Sequence, residues 1–326
     1  MIPARVEVLA SMPSRAASQK SPMPPRLTQE TLRKATVYVG ETNYYERQQL
    51  RDLFIAQGLR QVVCHANLDS LRKLIAEMPP DLLVVADDFD EGVFAYIKEI
   101  RFQRAGDNPF ILISMLVRPT NGGALDRAIE AGVDDIIIKP VSAQRIQERL
   151  RLVVFHRRPF IATDGYVGPE RKMEEPSAAV LRRFPVVNTL FEKVHGREMD
   201  KYALKAAVEG SLQKVLQAQL DSQSFRLGEV CERLVTAYDT QMINADTQSD
   251  LFTLADVLKE AAGVAERLRD SQLAGLCLSL AENVNQIADH FEEPSTLEVE
   301  LIRKITTAFK MAMRPTDDAP MSAQAR

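Results

Sequence analysis

The chain has 326 residues, 45% of them hydrophobic and 26% charged, with a net charge of −4. These are ordinary values for a soluble globular protein of about two domains, and they leave no overall basic field to draw it toward nucleic acid or anionic lipid. Its three cysteines, Cys64, Cys231 and Cys277, form no CxxC pair. That spacing argues against a zinc site or disulfide framework and suits a reducing cytosol. No apolar run approaches the ~18 residues a membrane span needs.

Residues 1–34 are rich in Pro, Ser, Ala and Arg, with Pro22-Met23-Pro24-Pro25 at their centre. They bury too little apolar surface to order themselves and are expected to form a disordered tail. The apolar patch Val6–Ala10 is interrupted by Glu7 and makes a poor signal peptide. From Thr36 the texture changes to short, nearly all-apolar runs, as strands covered on both faces require. The runs are Thr36–Val39, Gln61–Cys64, Leu82–Val85, Phe110–Ile113 and Ile136–Ile138. Between them, Leu50, Leu53 and Phe54, then Leu68, Leu71, Leu74 and Ile75, recur at helical spacing. Five β/α repeats predict an α/β domain over residues 35–155: a five-stranded doubly wound parallel sheet, with its site at the carboxyl ends of the strands.

Residues 156–177 carry Arg157-Arg158-Pro159, Gly165, Gly168-Pro169 and Pro176, and read as an interdomain linker. Arg157, Arg158, Arg171 and Lys172 offer guanidinium and ammonium groups to an anion, such as a nucleotide second messenger or an acidic partner surface. The other reading is a solvated linker, flanked by Glu170, Glu174 and Glu175. Residues 178–313 read as an all-α helical bundle. Leu204, Val208, Leu212, Val215 and Leu216 mark one helix, and Leu227, Val230, Leu234, Tyr238 and Met242 another. Leu251, Leu254, Ala255, Leu258, Ala262, Ala265 and Leu268 form a third stripe, and Leu273, Leu276, Cys277, Leu280, Val284, Ile287 and Phe291 a fourth. Ile302, Ile305 and Phe309 begin a last helix beyond Pro294. Short connections predict antiparallel packing. Residues 314–326 are expected to be disordered.

Pro80-Asp81-Leu82-Leu83-Val84-Val85, Glu130-Ala131-Gly132-Val133-Asp134-Asp135 and the pair Lys139-Pro140, set on the five-repeat pattern, resemble the receiver domains of two-component response regulators. The resemblance implies a cis Lys139-Pro140 bond. It also implies a pocket with a pair of acids for Mg²⁺, an acceptor aspartate ending the third strand, and a hydroxyl and a lysine to meet the phosphoryl oxygens. Here the acid pair aligns with Gly40-Glu41, and five residues on from Asp81 the acceptor position holds Ala86. Spacing back from Lys139 puts the hydroxyl position at Val117, whereas spacing from Pro109 puts it at Ser114. Only Lys139 matches without ambiguity. Strand alternation points Asp87 opposite to Ala86 and returns Asp88 to the same side, one step further out. Glu41 with Asp88 would bind Mg²⁺ weakly, since a hard dication wants more oxygens. Solvated loop acids are the plainer reading of Asp87, Asp88 and Asp90.

Leu251–Glu260 resembles the helix that carries His-x-x-Lys-Gly in histidine phosphotransfer domains, with Asp256 at the histidine position, Lys259 at the lysine and Glu260 at the glycine. Asp256 and Lys259 should be exposed neighbours. An unrelated bundle with a surface Asp–Lys pair is the competing reading. His195 and His290 are expected to be surface or helix-end residues. The expected protein is a cytoplasmic bacterial signalling protein: a pseudo-receiver lacking its acceptor, not an enzyme and with no resident cofactor. It would bind a histidine kinase, an active receiver or a phosphotransfer protein. The alternative is a working response regulator phosphorylated at Asp88 or Asp87, with the bundle as output. Neither DNA nor membrane is an expected partner, because the C-terminal half is not basic and shows no cationic recognition helix.

Overall fold

The structure, a computed structural model, describes residues 27–171 and 182–313. Lys172, most of the expected amino-terminal tail (1–26) and the expected carboxyl-terminal tail (314–326) lie outside the described residues. Five parallel strands, β1 (Thr36–Gly40), β2 (Gln61–His65), β3 (Leu82–Ala86), β4 (Leu112–Val117) and β5 (Asp135–Ile138), form one sheet in the order β2-β1-β3-β4-β5. This is the flavodoxin-like order of doubly wound folds, with its switch point between β1 and β3. Each strand leads into a helix: α1 (Tyr44–Ala56), α2 (Leu68–Glu77), α3 (Val93–Arg101), α4 (Ala124–Glu130) and α5 (Ala143–Phe155). Helices α1 and α5 touch each other. On the other face the Arg72–Glu99 ion pair joins α2 to α3, and Arg127 lies over the Phe94 ring to join α3 to α4. With both faces covered, every residue of β3 and β4 is buried. Side-chain caps set the helix starts: Asn43 accepts from the backbone of α1, Asn67 from that of α2 and Ser142 from that of α5.

Several expectations need correcting. Residues 29–34 form turns, and Leu32, 2% exposed, joins the sheet core, so this part of the expected tail is folded. The fourth strand begins at Leu112, two residues later than the apolar run suggests. Arg101 donates to the carbonyls of Pro109 (2.6 Å) and Ile111 (2.9 Å), and Asn108 accepts from Phe110 N, so side chains satisfy this backbone in place of a strand partner. The expected linker contains an antiparallel hairpin of β6 (Phe160–Ala162) and β7 (Val167–Pro169), all six residues buried. Its core joins Phe110 and Phe160 to Phe184, Val208 and Val215. The fourth correction concerns the bundle boundary. Helix α6 (Thr189–Val194) packs on the sheet domain through Leu190 and Val194, with Lys193 bonded to Asp81 at 2.7 Å.

The two helices expected before residue 243 are one, α7 (Lys201–Asp239), of 39 residues and roughly 58 Å at 1.5 Å per residue. Its first half packs on the hairpin. Its second half packs with α8 (Ala245–Arg267), α9 (Ser271–Asp289) and α10 (Thr296–Ala312) around a separate apolar core that begins at Leu216. Met242 lies beyond the end of α7 and is exposed, contrary to its place in the expected stripe. Capping boxes at Asn244 with Thr247 and at Ser295 with Glu298 start α8 and α10.

Candidate functional site

The carboxyl ends of β1, β3, β4 and β5 converge on a chain of alternating charges. Glu41 follows β1 and is fully buried. Its Oε1 accepts from Asn43 N at 2.9 Å and its Oε2 from Lys139 Nζ at 2.7 Å. Lys139 follows β5 and donates also to Glu46 Oε2 at 2.7 Å. The Lys139–Pro140 bond is cis. Glu46, in the first turn of α1, accepts from Arg118 at 2.9 Å, and Arg118 Nε lies 3.2 Å from Asp88 Oδ2. Beside this chain, Glu46, Leu50, Leu53, Arg118, Lys139 and Pro140 help to line a cavity of about 340 Å³ that opens to solvent.

The electrostatics follow the contacts. Burial alone would lower the Lys139 ammonium, but its bonds to Glu41 and Glu46 outweigh that and raise its pKa. The Glu46 carboxyl is held below its ordinary value, chiefly by its bond to Lys139 and further by Arg118. Each charge stabilises the next, so the lysine is held inward on two carboxylates.

Ala86 ends β3 and is fully buried, with no oxygen to offer. Asp87, 4% exposed, points toward the loop after β4, where its Oδ2 accepts from Asn121 Nδ2 at 2.7 Å and from Arg118 N at 3.4 Å. Its Oδ1 is buried without a protein partner. Asp88 is exposed and sits on the rim with Arg118. Strand register settles the two hydroxyl positions. Val117 ends β4 beside Ile138 and accepts from Lys139 N at 3.0 Å, so it borders the site. Ser114 lies mid-strand between Val84 and Asp135, three residues or roughly 10 Å below the edge. The later start of β4 is the reason, and Ser114 is no part of the pocket.

The expected cation pair of Glu41 and Asp88 is not formed. Both oxygens of Glu41 are occupied, by Asn43 N and Lys139, and Asp88 pairs with Arg118. At Gly40 a side chain would begin 3.0 Å from the Phe89 ring and 3.0 Å from Val85 Cγ2, so Phe89 fills the space an acid there would need. Among the described residues, no group of three or more His, Cys, Asp or Glu side chains is placed to share a metal ion. These residues do not fit Mg²⁺. Sequence reasoning missed Glu46, Phe89, Arg118 and Asn121. The signal available for Arg118 and Phe89 was position alone, one residue past Val117 and three past Ala86.

Of the linker cations that could have met an anion, two arginines are engaged inside the protein, and Lys172 lies outside the described residues. Arg157 donates to Asp134 Oδ1 at 2.8 Å and to Val187 O at 2.7 Å, and Arg171 donates to Val133 O at 2.7 Å. Arg158 donates weakly to Glu170 O at 3.4 Å. Arg157 and Arg171, on either side of the hairpin, hold it to the sheet domain.

In the bundle, Lys259 Nζ lies 3.3 Å from Asp256 Oδ1 on an exposed face of α8. Glu260 is joined through Arg226 to Asp164 at the hairpin tip. His195 ends α6, with Nδ1 2.7 Å from Phe191 O, and His290 ends α9, with Nε2 3.0 Å from Glu298.

The sheet domain is similar to solved receiver domains. A signal receiver domain from Clostridium thermocellum is 19% identical over 37% of this chain and 98% of that one, with a TM-score of 0.34. The orphan response regulator HP1043 of H. pylori is 18% identical over 36% and 95%, with a TM-score of 0.32. Full-length FixJ from B. japonicum is 13% identical over 74% and 98%, with a TM-score of 0.33. No protein-family model matches the chain, and no curated protein matches it. The receiver likeness belongs to the amino-terminal 36% of the chain. Among the described residues no helix is long and apolar enough to cross a membrane.

Proposed function

We propose that this is a two-component signalling protein whose receiver unit works by binding other proteins and has no phosphoryl chemistry of its own. The observation that carries this reading is the filled pocket: Ala86 stands at the acceptor position, and Lys139 is held by Glu41 and Glu46. A lysine bound to two carboxylates must leave both before it meets a phosphoryl oxygen. Lost chemistry leaves the surface intact, and a specific interface of ~800 Å² per partner is available to a domain of this size. The partners proposed are a histidine kinase, an active receiver or a phosphotransfer protein, in a bacterial cytoplasm, with the α8 face around Asp256 and Lys259 as the bundle's docking face. DNA is not among them, in keeping with the net charge of −4.

The test is incubation of the full chain with acetyl phosphate and Mg²⁺, read by intact-mass spectrometry. No added phosphate is expected. Stoichiometric, hydroxylamine-labile phosphate would sink this reading and promote a second one, a working regulator that accepts phosphate at Asp87 or Asp88 with the bundle as output. One observation favours that second reading: Asp87 Oδ1 is buried without a protein partner. Loss of the label in Asp87→Asn or in Asp88→Asn would assign the acceptor.

A further inference from the structure

Helix α7 is apolar where it meets the hairpin core, through Val208, Val215 and Ala218, and apolar again where it meets the bundle core, through Leu220, Leu227 and Val230. Between the two it buries polar groups. Gln219, Gln223 and Arg226 follow one another at helical spacing, and the two glutamines are 5% and 1% exposed. The turn between β6 and β7 rests on them. Gln219 Nε2 donates to Thr163 O at 3.2 Å, Gln223 Nε2 donates to Asp164 Oδ1 at 2.8 Å, and Arg226 pairs with Asp164 Oδ2. Arg226 also lies 3.2 Å from Glu260 Oε2 on α8, so the Asp164 carboxylate ties the hairpin to two helices of the bundle at once.

These contacts hold the turn without sealing it. Among the described residues, Oε1 of Gln219 and Oε1 of Gln223 are buried without a protein partner. A buried polar group left unpaired costs free energy that contact with water restores. The ion pairs at the rim are half-wet, and pairs of that kind add little to stability. The turn's own bonds, Thr163 N to Tyr166 O at 2.8 Å and Tyr166 N to Thr163 Oγ1 at 3.2 Å, lie within it, so lifting it breaks neither. Its tip, Gly165, is exposed, with open space where a Cβ would stand. Unmet bonds below and weak pairs above bring the docked turn close in free energy to a lifted one, as a two-state element requires.

We infer that the hairpin turn is a releasable latch between the receiver unit and the bundle, with Asp164 as the residue that closes it. Docked, Asp164 on Gln223 and Arg226 fixes α7 and α8 against the hairpin. Lifted, the turn lets water reach the two glutamines and frees Arg226 and Glu260 together. The flanks of the hairpin stay in place, because Arg157 and Arg171 hold them to the sheet domain. The latch is separate from the carboxyl-end pocket and stands or falls independently of it.

The test is thiol labelling of the full chain with iodoacetamide, read by peptide mass spectrometry. Gln219→Cys puts a thiol under the turn, and Cys231, buried in the bundle core about three turns further along α7, reports global opening in the same molecule. In that background Asp164→Ala should speed labelling at position 219 by at least about tenfold, the scale of a lost charge-assisted contact, and leave Cys231 unaltered. Arg226→Gln should act in the same direction and gives the reading should the Asp164 variant misfold. Asp250→Asn, which breaks the Arg233–Asp250 pair farther along the same two helices, should change neither thiol. Labelling at position 219 that keeps pace with Cys231 in every variant would mean that the turn lifts only when the protein unfolds, and overturns the latch. No acceleration by Asp164→Ala or Arg226→Gln, or an equal one by Asp250→Asn, overturns the role of Asp164.

Discussion

Opposite ends of one sheet carry the same kinds of charged group in different surroundings. At the carboxyl end Glu41, Lys139, Glu46, Arg118 and Asp88 form a chain that runs from a buried glutamate to an exposed rim and borders an open cavity. At the amino end Asp134, its side chain 2% exposed, is held by Arg101 at 2.7 Å and Arg157 at 2.8 Å, and Phe160 lies against both guanidiniums. Solvent is the difference. A half-wet charge chain trades partners at little cost, whereas a dry one keeps a fixed set because any group left alone stays unsolvated. The carboxyl end therefore has the properties of a surface that meets other molecules, and the amino end those of a joint.

The largest expected effect breaks the joint. Asp134→Ala leaves two buried arginines uncompensated and should cost about 3–5 kcal/mol, read by urea denaturation. The pH dependence sharpens this. Burial alone would raise the Asp134 carboxyl, but Arg157 and Arg101 outweigh it and hold its pKa below the ordinary value. Its contribution is therefore present above the unfolded value of ~3.9 and lost as pH falls through the lower, folded one. Asp134→Asn should flatten the acid limb of the stability curve below about pH 4; an unchanged limb would contradict the assignment.

Next comes Gly132, which lets the hairpin approach the sheet domain. Its φ is +83°, and a Cβ there would lie 2.5 Å from Val167 O. Gly132→Ala should cost about 2–3 kcal/mol from left-handed strain and overpacking, seen as a lower urea midpoint.

At the carboxyl end the effects are smaller. Gly40→Asp should cost about 1–2 kcal/mol, because its side chain meets Phe89 and Val85. It should also leave Mg²⁺ affinity unimproved by calorimetry, since Glu41 stays bound to Lys139. A micromolar Mg²⁺ site in this variant would show that the pocket opens. The smallest expected effect is Lys259→Glu on the exposed face of α8, which should change stability by less than ~1 kcal/mol in thermal unfolding. If that face docks partners, the same variant should lose binding to proteins captured with the wild-type chain. Full retention by a folded variant would detach the bundle from the phosphotransfer resemblance.

Local pattern carried the sheet because each strand is buried on both faces, so its apolar run is nearly continuous and hard to mistake. The receiver resemblance, laid on those runs, carried Lys139, Ala86 and Glu41, because they sit at strand ends whose positions follow from the runs. Local pattern failed at β4, where Phe110-Ile111 is as apolar as a strand yet belongs to a turn packed on Phe160. It failed also at residues 156–171, whose glycines and prolines mark turns but do not say whether those turns are wet. The hairpin is ordered by Arg101, Phe110, Gly132 and Asp134, all 25 or more residues away in sequence from Phe160. No window along the chain contains that information.

What the sequence determined by itself was the chemistry available: an alanine and a Gly-Glu pair at the positions the receiver resemblance assigns to the acceptor and the acids, a lysine before proline, and an aspartate three residues before a lysine on an exposed helix face. Residue identity and strand periodicity are local properties, and they suffice for that much. Tertiary structure alone decided how those groups are spent. It gave Lys139 to Glu41 and Glu46, filled the space beside Gly40 with Phe89, and turned Arg157 and Arg171 inward. Ion pairing and burial depend on distances between residues remote in sequence, and folding fixes those distances only when the whole core closes.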